Sequence, residues 1–342
     1  MEVSNNKIEK AVAQAKEKIQ KLRKDDSIIF PIFTDLHTLG NECEWTDKLC
    51  CALKHITQNI CCDAVIDLGD NTGMLGRNKH ISNGDLEKEF TDLLGKIYSS
   101  VNCLLITVNG NHDAIGTDFF KPDFWNGIVK HKFGNTSAVY DADGSYYYVD
   151  FERANTRCIV LSVPYESELY TEHPTPAWAF GKRQIEWLEK TALVFDGNVI
   201  IFIHVPFFYC DHMDRSQLHD VWNGEYAAKS YTTDLCGRIE DVESAADVIN
   251  KAVAKGNIKL MGCFSGHTHL DSLWAPNEER DMDGYKHCNP LPCYQIVTMG
   301  TFLPEFAHGG FGIAIDIAVC TPSEQRIDVI RIGDGEDRSF KF

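Results

Sequence analysis

The chain has 342 residues, of which 44% are hydrophobic, and its 50 acidic side chains outnumber 33 basic ones to give a net charge of -17. This apolar content is enough for a sizeable core, and no linker rich in proline, glycine or serine divides the chain. The excess of acid disfavours a nucleic-acid backbone or an anionic membrane as a partner, because both are bound through clusters of lysine and arginine.

The N-terminal segment is charged throughout but carries apolar side chains along one helical side, at Ile8, Val12, Ile19 and Leu22. This spacing predicts an amphipathic helix within 1–24 that packs on the domain or on a partner. The segment lacks the apolar centre of a secretory signal, and no later run is long enough to span a membrane, so we expect a cytoplasmic protein. The thirteen cysteines include no CxxC pair, which fits free thiols in a reducing compartment.

Between Ser27 and Asp113, apolar strand-like runs alternate with helical segments, which is the rhythm of a largely parallel sheet. Three of these runs end in a short polar motif: SIIFPIFT precedes Asp35 and His37, DAVIDL precedes Gly69 and Asp70, and NCLLITV precedes the GNHD motif that closes the segment. Because the carboxyl ends of parallel strands meet at one rim of a sheet, we expect the three motifs to lie close together.

The second half of the chain is richer in strands and adds two more polar motifs. Apolar runs at 145–151, 157–163 and 198–203 predict strands, and a helix is predicted over 181–190. The run NVIIFI leads directly into a single histidine, His204, and IKLMGCFS leads into the motif GHTH. Three further strand patterns follow before the C-terminus.

These five motifs supply carboxylate, amide and imidazole groups, which together suit two metal ions. Aspartate and neutral histidine bind divalent transition metals, and the mixed set excludes a soft all-thiolate site. The sequence does not choose among Mn, Fe, Zn and Ni. A set of surface turns that contain these residues by chance would not explain why each motif follows an apolar, strand-like run.

The order of the motifs resembles that of the calcineurin-like metallophosphoesterase superfamily, and the resemblance covers the chain from about Ser27 to the C-terminus. It implies an α/β fold, a four-layer α/β/β/α sandwich of two facing mixed sheets flanked by helices, in a single domain over 25–342. It also implies seven metal ligands: Asp35, His37 and His269 on one ion, Asn111, His204 and His267 on the other, and Asp70 bridging both.

Two divalent ions carry about four positive charges, and the ligand set supplies only two carboxylates, so the site stays cationic and attracts an anionic ester. The resemblance implies in-line attack of a metal-bound hydroxide on phosphorus. His112 would assist the leaving group as proton donor, and Asp113 would orient His112. No GxSxG or P-loop motif offers another mechanism.

The stretch 205–257 separates His204 from the last ligand strand and is predicted to be a substrate-specificity insertion, because long loops on a rigid scaffold usually carry specificity. Its polar residues His212 and Arg215 are candidate substrate contacts. Asn71, directly after the bridging Asp70, is a third.

We therefore predict an enzyme, a dinuclear metal-dependent hydrolase of a small phosphomonoester, phosphodiester or nucleotide. The segment after Asp70 lacks the GDxxDRG pattern of phosphoprotein phosphatases and a nearby tyrosine of the purple acid phosphatase type. The alternative is a metal-binding protein-interaction scaffold with the same fold and little activity. A third reading, a nuclease, would need a basic groove, and the net charge of -17 counts against it. The sequence leaves the oligomeric state open.

Overall fold

The structure is a computed structural model. It describes residues 2–37, 43–71, 83–110, 113, 138–140, 145–162, 179–210, 241–282, 285–301 and 312–342. Within these ranges it contains five α-helices: α1 Glu2–Leu22, α2 Cys43–Asn59, α3 Asn83–Ser100, α4 Gly181–Trp187 and α5 Val242–Ala254. α4 is followed directly by one π-helical turn, Leu188–Ala192. Together the two cover the helix that the sequence predicts over 181–190.

The strands of the first half of the chain are β1 Ile28–Phe33, β2 Ala64–Asp67, β3 Leu104–Thr107, β4 Ala138–Tyr140, β5 Tyr147–Phe151, β6 Thr156–Val160, β7 Gly197–Phe202 and β8 Tyr209–Cys210. Those of the second half are β9 Ile258–Ser265, β10 Ser272–Trp274, β11 Glu279–Met282, β12 Tyr285–Cys288, β13 Tyr294–Val297, β14 Ala314–Thr321, β15 Arg326–Gly333 and β16 Arg338–Lys341.

Two large mixed sheets and one small sheet result. The first has the order β16-β15-β14-β1-β2-β3, the second β10-β13-β9-β7-β6-β5-β4, and the small one β11-β12-β8. In the first sheet β1, β2 and β3 are parallel and carry the three N-terminal motifs. In the second sheet β6, β7, β9 and β13 are parallel, and β7 and β9 carry the other two.

The alternation of side chains along β1 shows how the layers form. Phe30 and Ile32 point into a core shared with Val160 and Phe202 of the second sheet. Ile29 and Phe33 point the other way, towards a second apolar cluster formed with α1, α2 and α3. A third cluster lies between the outer face of the second sheet and α4 and α5. The predicted four-layer sandwich is confirmed.

Helix α1 lies on the outside of the first sheet. Ile8, Val12, Ala15 and Ile19 are buried in the cluster that it shares with β15 and α2. The charged residues on its remaining sides face solvent, as the amphipathic pattern predicts. None of the helices in the described ranges combines the length and the apolar character that crossing a bilayer requires.

The predicted insertion 205–257 contains parts with different positions in the fold. Helix α5 lies inside this stretch, yet Val242, Ala245 and Ile249 are buried against the second sheet, so this part belongs to an outer layer of the sandwich. β8, at the start of the stretch, pairs with β12 in the small sheet. The specificity role stays a prediction for 211–240, which lie outside the described residues.

Candidate metal centre

Four of the five motifs can be followed to one rim, where the parallel strands of both sheets end. Asp35 lies two residues after β1, Asp70 three after β2, and His204 two after β7. Backbone hydrogen bonds join the loops directly: Asp35 N donates to Gly69 O over 2.8 Å, and Gly266 N donates to His204 O over 3.0 Å. The first bond joins loops of the first sheet and the second joins loops of the second sheet. His267 N, which donates to Asp35 Oδ2 over 2.9 Å, links the two pairs of loops into one rim.

The side chains at this rim form two clusters with metal-ligand geometry: Asp35, His37 and His269; Asp70, His204 and His267. Within each cluster the candidate ligand atoms lie within 4.8 Å of one another. In the first, Asp35 Oδ1 is 3.5 Å from His37 Nε2 and 3.3 Å from His269 Nε2, and the two imidazole nitrogens are 2.9 Å apart. In the second, Asp70 Oδ2 is 3.0 Å from His204 Nε2.

These distances fit ligands that converge on a common ion. Ligand atoms around a tetrahedral ion lie about 3.3 Å apart when the metal–ligand bonds are about 2.0–2.1 Å long. The clusters also lie side by side, since His204 Nε2 is 3.9 Å from Asp35 Oδ1. Two adjacent clusters with one carboxylate each suit a dinuclear centre, in which Asp35 and Asp70 would supply the negative charge.

The hydrogen bonds at Asp35 and His204 leave one side-chain atom of each without a hydrogen-bond partner among the described residues. Asp35 Oδ2 accepts from Thr34 Oγ1 at 2.8 Å and from His267 N at 2.9 Å. Its other oxygen, Oδ1, is buried and has no hydrogen-bond partner among the described residues. His204 Nδ1 is 2.8 Å from Leu68 O, which selects the tautomer that presents Nε2 as a lone pair. The donor set therefore fits two divalent ions.

The backbone at the ligands is unusual. Asp35, His37, Asp70, His267 and His269 all have positive φ, between 45° and 70°. Non-glycine residues seldom adopt this left-handed conformation, and it persists only where the surroundings impose it. At these positive φ values the backbone of the ligand loops turns, and the turns orient the side chains of the candidate ligands.

Two glycines allow the loops to approach one another. A β-carbon at Gly110 would overlap the Asp70 carboxylate oxygen Oδ1, and one at Gly266 would overlap Thr34 Oγ1 and lie 2.7 Å from Asp35 Oδ2. Neither glycine has a positive φ, so the close packing around the carboxylates, and not turn conformation, requires glycine at these two positions.

Asp113 lies beneath these loops. Its Oδ2 accepts from Asp70 N at 2.8 Å and from Gly110 N at 2.9 Å, and its Oδ1 accepts from Asn71 N at 2.9 Å. The carboxylate thus joins the loops after β2 and β3. Its predicted role of orienting His112 stays a prediction.

A carboxylate that the sequence analysis missed lies next to it. Asp67, the last residue of β2, is fully buried and accepts from Gly69 N at 2.9 Å and from Asn71 Nδ2 at 2.8 Å. Burial, with the nearby charge of Asp113, raises the pKa of Asp67 to about 8. The side chain of Asn71 is itself buried, and its role as a substrate contact stays a prediction.

The ligands influence one another's protonation. Burial on its own raises the pKa of Asp35, but the charges of His269 and His204 outweigh it and hold the pKa well below its usual range. Burial lowers the pKa of His204, yet Asp70 and Asp35 raise it to about 9. Burial and the charge of His204 lower the pKa of His267 to about 3. Metal binding at such a centre displaces protons from imidazole.

The two clusters differ in their access to solvent. The side chains of His37 and His269 are 17% and 14% exposed, whereas those of His204 and Asp70 are 0% and 1% exposed. The imidazoles of the first cluster are therefore the more accessible to solvent. Four predicted residues lie outside the described ones: Asn111, His112, His212 and Arg215.

Comparison with known proteins gives a structural match. No protein-family model and no curated protein matches the sequence. Among solved structures, a dimetal phosphatase from Danio rerio is similar with a TM-score of 0.60 and 14% sequence identity, over 92% of this chain and 99% of that chain. A metallophosphoesterase from Sphaerobacter thermophilus aligns over 90% of this chain and 89% of its own at 13% identity, but its TM-score of 0.30 is too low to support an argument. At a sequence identity of 14%, the similarity to the Danio rerio structure shows that the two proteins share a fold.

Proposed function

The chain has the fold of the calcineurin-like metallophosphoesterases, and from this fold and its ligand geometry we propose that it is a dinuclear metal-dependent hydrolase of phosphate esters. The observation that carries the proposal is the pair of adjacent clusters at one rim, each with one carboxylate and two imidazoles. Asp35, His37 and His269 would hold one ion; His204, His267 and Asn111 would hold the other, with Asp70 shared between them.

Charge favours a phosphate ester as the substrate. Counted over the ligands alone, two divalent ions and the two carboxylates Asp35 and Asp70 leave a surplus of about two positive charges. The ions, when bound, would neutralise phosphoryl oxygens and lower the pKa of a water molecule. Because the protein carries a net charge of -17, an anionic substrate is attracted only near the centre. We propose a small phosphomonoester, phosphodiester or nucleotide.

The protein's own groups would position the substrate and move the proton. The buried Asp35 and His204 fix one wall of the site, and the more exposed His37 and His269 form the side that a substrate reaches first. His112, in the GNHD motif, would donate a proton to the leaving oxygen, a role that fits imidazole near neutral pH.

The proposal is tested by hydrolysis of p-nitrophenyl phosphate and bis-p-nitrophenyl phosphate side by side, after reloading metal-free protein with Mn, Fe, Zn or Ni. We expect metal-dependent cleavage of at least one ester, which also identifies the ester class. Asp70→Ala should lose bound metal and activity together, because both ions lose a shared carboxylate. Asp247→Ala is the matched control, since this carboxylate lies exposed on α5 and pairs only with Lys251 in the described structure.

The competing function is a metal-binding interaction scaffold with little activity. Wild-type protein that holds two ions and cleaves neither ester would favour the scaffold. Wild-type protein that binds no divalent ion would refute the metal centre itself.

A further inference from the structure

A partly buried network of four charged side chains lies between the two large sheets, next to the ligand rim. It contains two acids and two arginines: Asp271, Asp316, Arg331 and Arg338. Asp316 and Arg331 are each only 1% exposed at the side chain. The four charges cancel, so the network carries no net charge into the interior.

Arg331 is the centre of the network. Its Nε donates to Asp316 Oδ1 at 2.8 Å, and its Nη2 donates to Asp271 Oδ1 at 2.6 Å. Its Nη1 donates to the backbone oxygen of Asp334 at 2.7 Å, and a β-carbon at Gly335 would overlap that nitrogen. The guanidinium is therefore held on three sides by acceptors that match its rigid planar fork.

Asp271 connects the network to a candidate metal ligand. It lies two residues after His269, and its Oδ1 also accepts from Met299 N at 3.1 Å. The neighbouring Gly300 N is 3.3 Å from the backbone oxygen of His269. The segment that carries His269 is thus held against 299–300, and Arg331 anchors that junction.

The other histidine of the GHTH motif is held differently. The backbone N–H of His267 donates to Asp35 Oδ2 at 2.9 Å, and this bond does not involve the network. A perturbation of Asp271 should therefore move His269 more than His267. Because these two residues belong to different clusters, the two candidate metal sites should respond unequally.

Stability alone gives no reason for such a network, because a buried ion pair seldom exceeds the stability of an apolar replacement of the same volume. What the network does supply is fixed geometry between β14, β15 and the loop after β9. We propose that Arg331 and Asp271 are positioning residues that hold His269 in place and so determine the affinity of the first cluster, Asp35, His37 and His269, for its ion. This inference rests on the metal centre proposed above.

The test compares the binding of the two ions in wild type and Asp271→Asn. The substitution keeps the size of the side chain and removes its charge, and the position tolerates it because the Asp271 side chain is 23% exposed. Zinc and cobalt titrations, followed by calorimetry and by cobalt absorption, give the two affinities separately. We expect one ion to bind about tenfold more weakly, the lower end of the effect of residues that orient ligands, with the other unchanged.

Two further variants make the outcome decisive. Asp337→Asn is the matched control, because Asp337 accepts from the backbone N of Arg331 but does not contact Asp271 in the described structure, and its two affinities should equal those of wild type. Arg331→Lys keeps the charge and loses the fork, so it should weaken the same ion as Asp271→Asn. Unchanged affinities in Asp271→Asn, or an equal loss of both, would overturn the inference. Wild type that binds no ion would instead overturn the metal centre.

Discussion

Replacing Gly110 with alanine would test the geometry of the metal centre with a single added methyl group. Gly110 lies at the end of the β3 segment, and its N–H donates to Asp113 Oδ2 at 2.9 Å. An alanine β-carbon there would overlap both Oδ1 and the backbone nitrogen of Asp70 and would lie 2.6 Å from Asp70 Cγ. One of the overlapped atoms is backbone, so a change of side-chain rotamer cannot relieve the clash.

The size of the effect follows from these distances. Carbon atoms in contact stay about 3.5–4.0 Å apart, so the Asp70 carboxylate has to move by about 1 Å. Metal–ligand distances at a working site hold to within about 0.2 Å, so Asp70 would no longer reach its ion. We expect affinity for both ions to fall at least about tenfold, with an overpacking cost of about 1–3 kcal/mol.

Calorimetric metal titration and thermal unfolding of the metal-free protein would measure the two effects. The matched control is Gly95→Ala in α3, where an added β-carbon meets nothing within 4 Å. That variant should bind both ions normally and gain about 0.5–1 kcal/mol, because alanine stabilises a helix interior relative to glycine. If Gly110→Ala bound two ions with wild-type affinity, the close packing of Asp70 could not be a requirement of the site.

Three further predictions concern the groups around the centre. Tyr147→Phe should lower the free energy of unfolding by about 1–3 kcal/mol, because the buried Tyr147 hydroxyl bonds to both the N–H and the C=O of Thr107 in the edge strand β3. Tyr148→Phe is the control, and equal urea stability of the two variants would contradict this. The pKa of Asp67 is raised, so the folded state binds the Asp67 proton more tightly than the unfolded state does. Metal-free protein should therefore lose stability as the pH rises from 3.8 to about 8, and Asp67→Asn should lose less stability over the same range. Parallel curves of stability against pH for the two proteins would exclude this. His112→Ala should lower turnover by about 10²–10⁴ while two ions stay bound, and a parallel loss of metal would make His112 a ligand.

The positions of the ligands could be predicted from the sequence because of where the apolar runs stop. The runs that form β1, β2, β7 and β9 are long enough to be strands, and each is followed within a few residues by Asp or His. Parallel strands that end at the same rim bring such residues together. Four of the motifs therefore converge in the described structure as the pattern predicts, with Asp113 of the fifth beside them.

The supporting contacts could not be predicted in this way. Asp316 and Arg331 alternate with apolar residues along β14 and β15, a pattern that is typical of a strand with one face in solvent. In the structure both are buried, because each supplies the charge that the other needs and the second sheet covers them. Asp67 ends an apolar strand, and its partners are backbone and amide groups of the following turn, which leave no pattern in the sequence.

The left-handed backbone at the ligands explains why motif spacing alone does not assign a ligand to an ion. In an extended strand, residues two apart lie about 6.6 Å from one another on the same face. Positive φ at Asp35 and His37 curls that segment and places both side chains in one cluster. His267 and His269 have the same spacing and the same sign of φ, yet their side chains belong to different clusters. The contacts that the two residues make with other segments also differ, since His267 N–H is bonded to Asp35 while the segment after His269 is bonded to 299–300. Residue spacing and the sign of φ therefore do not by themselves determine which cluster each histidine joins.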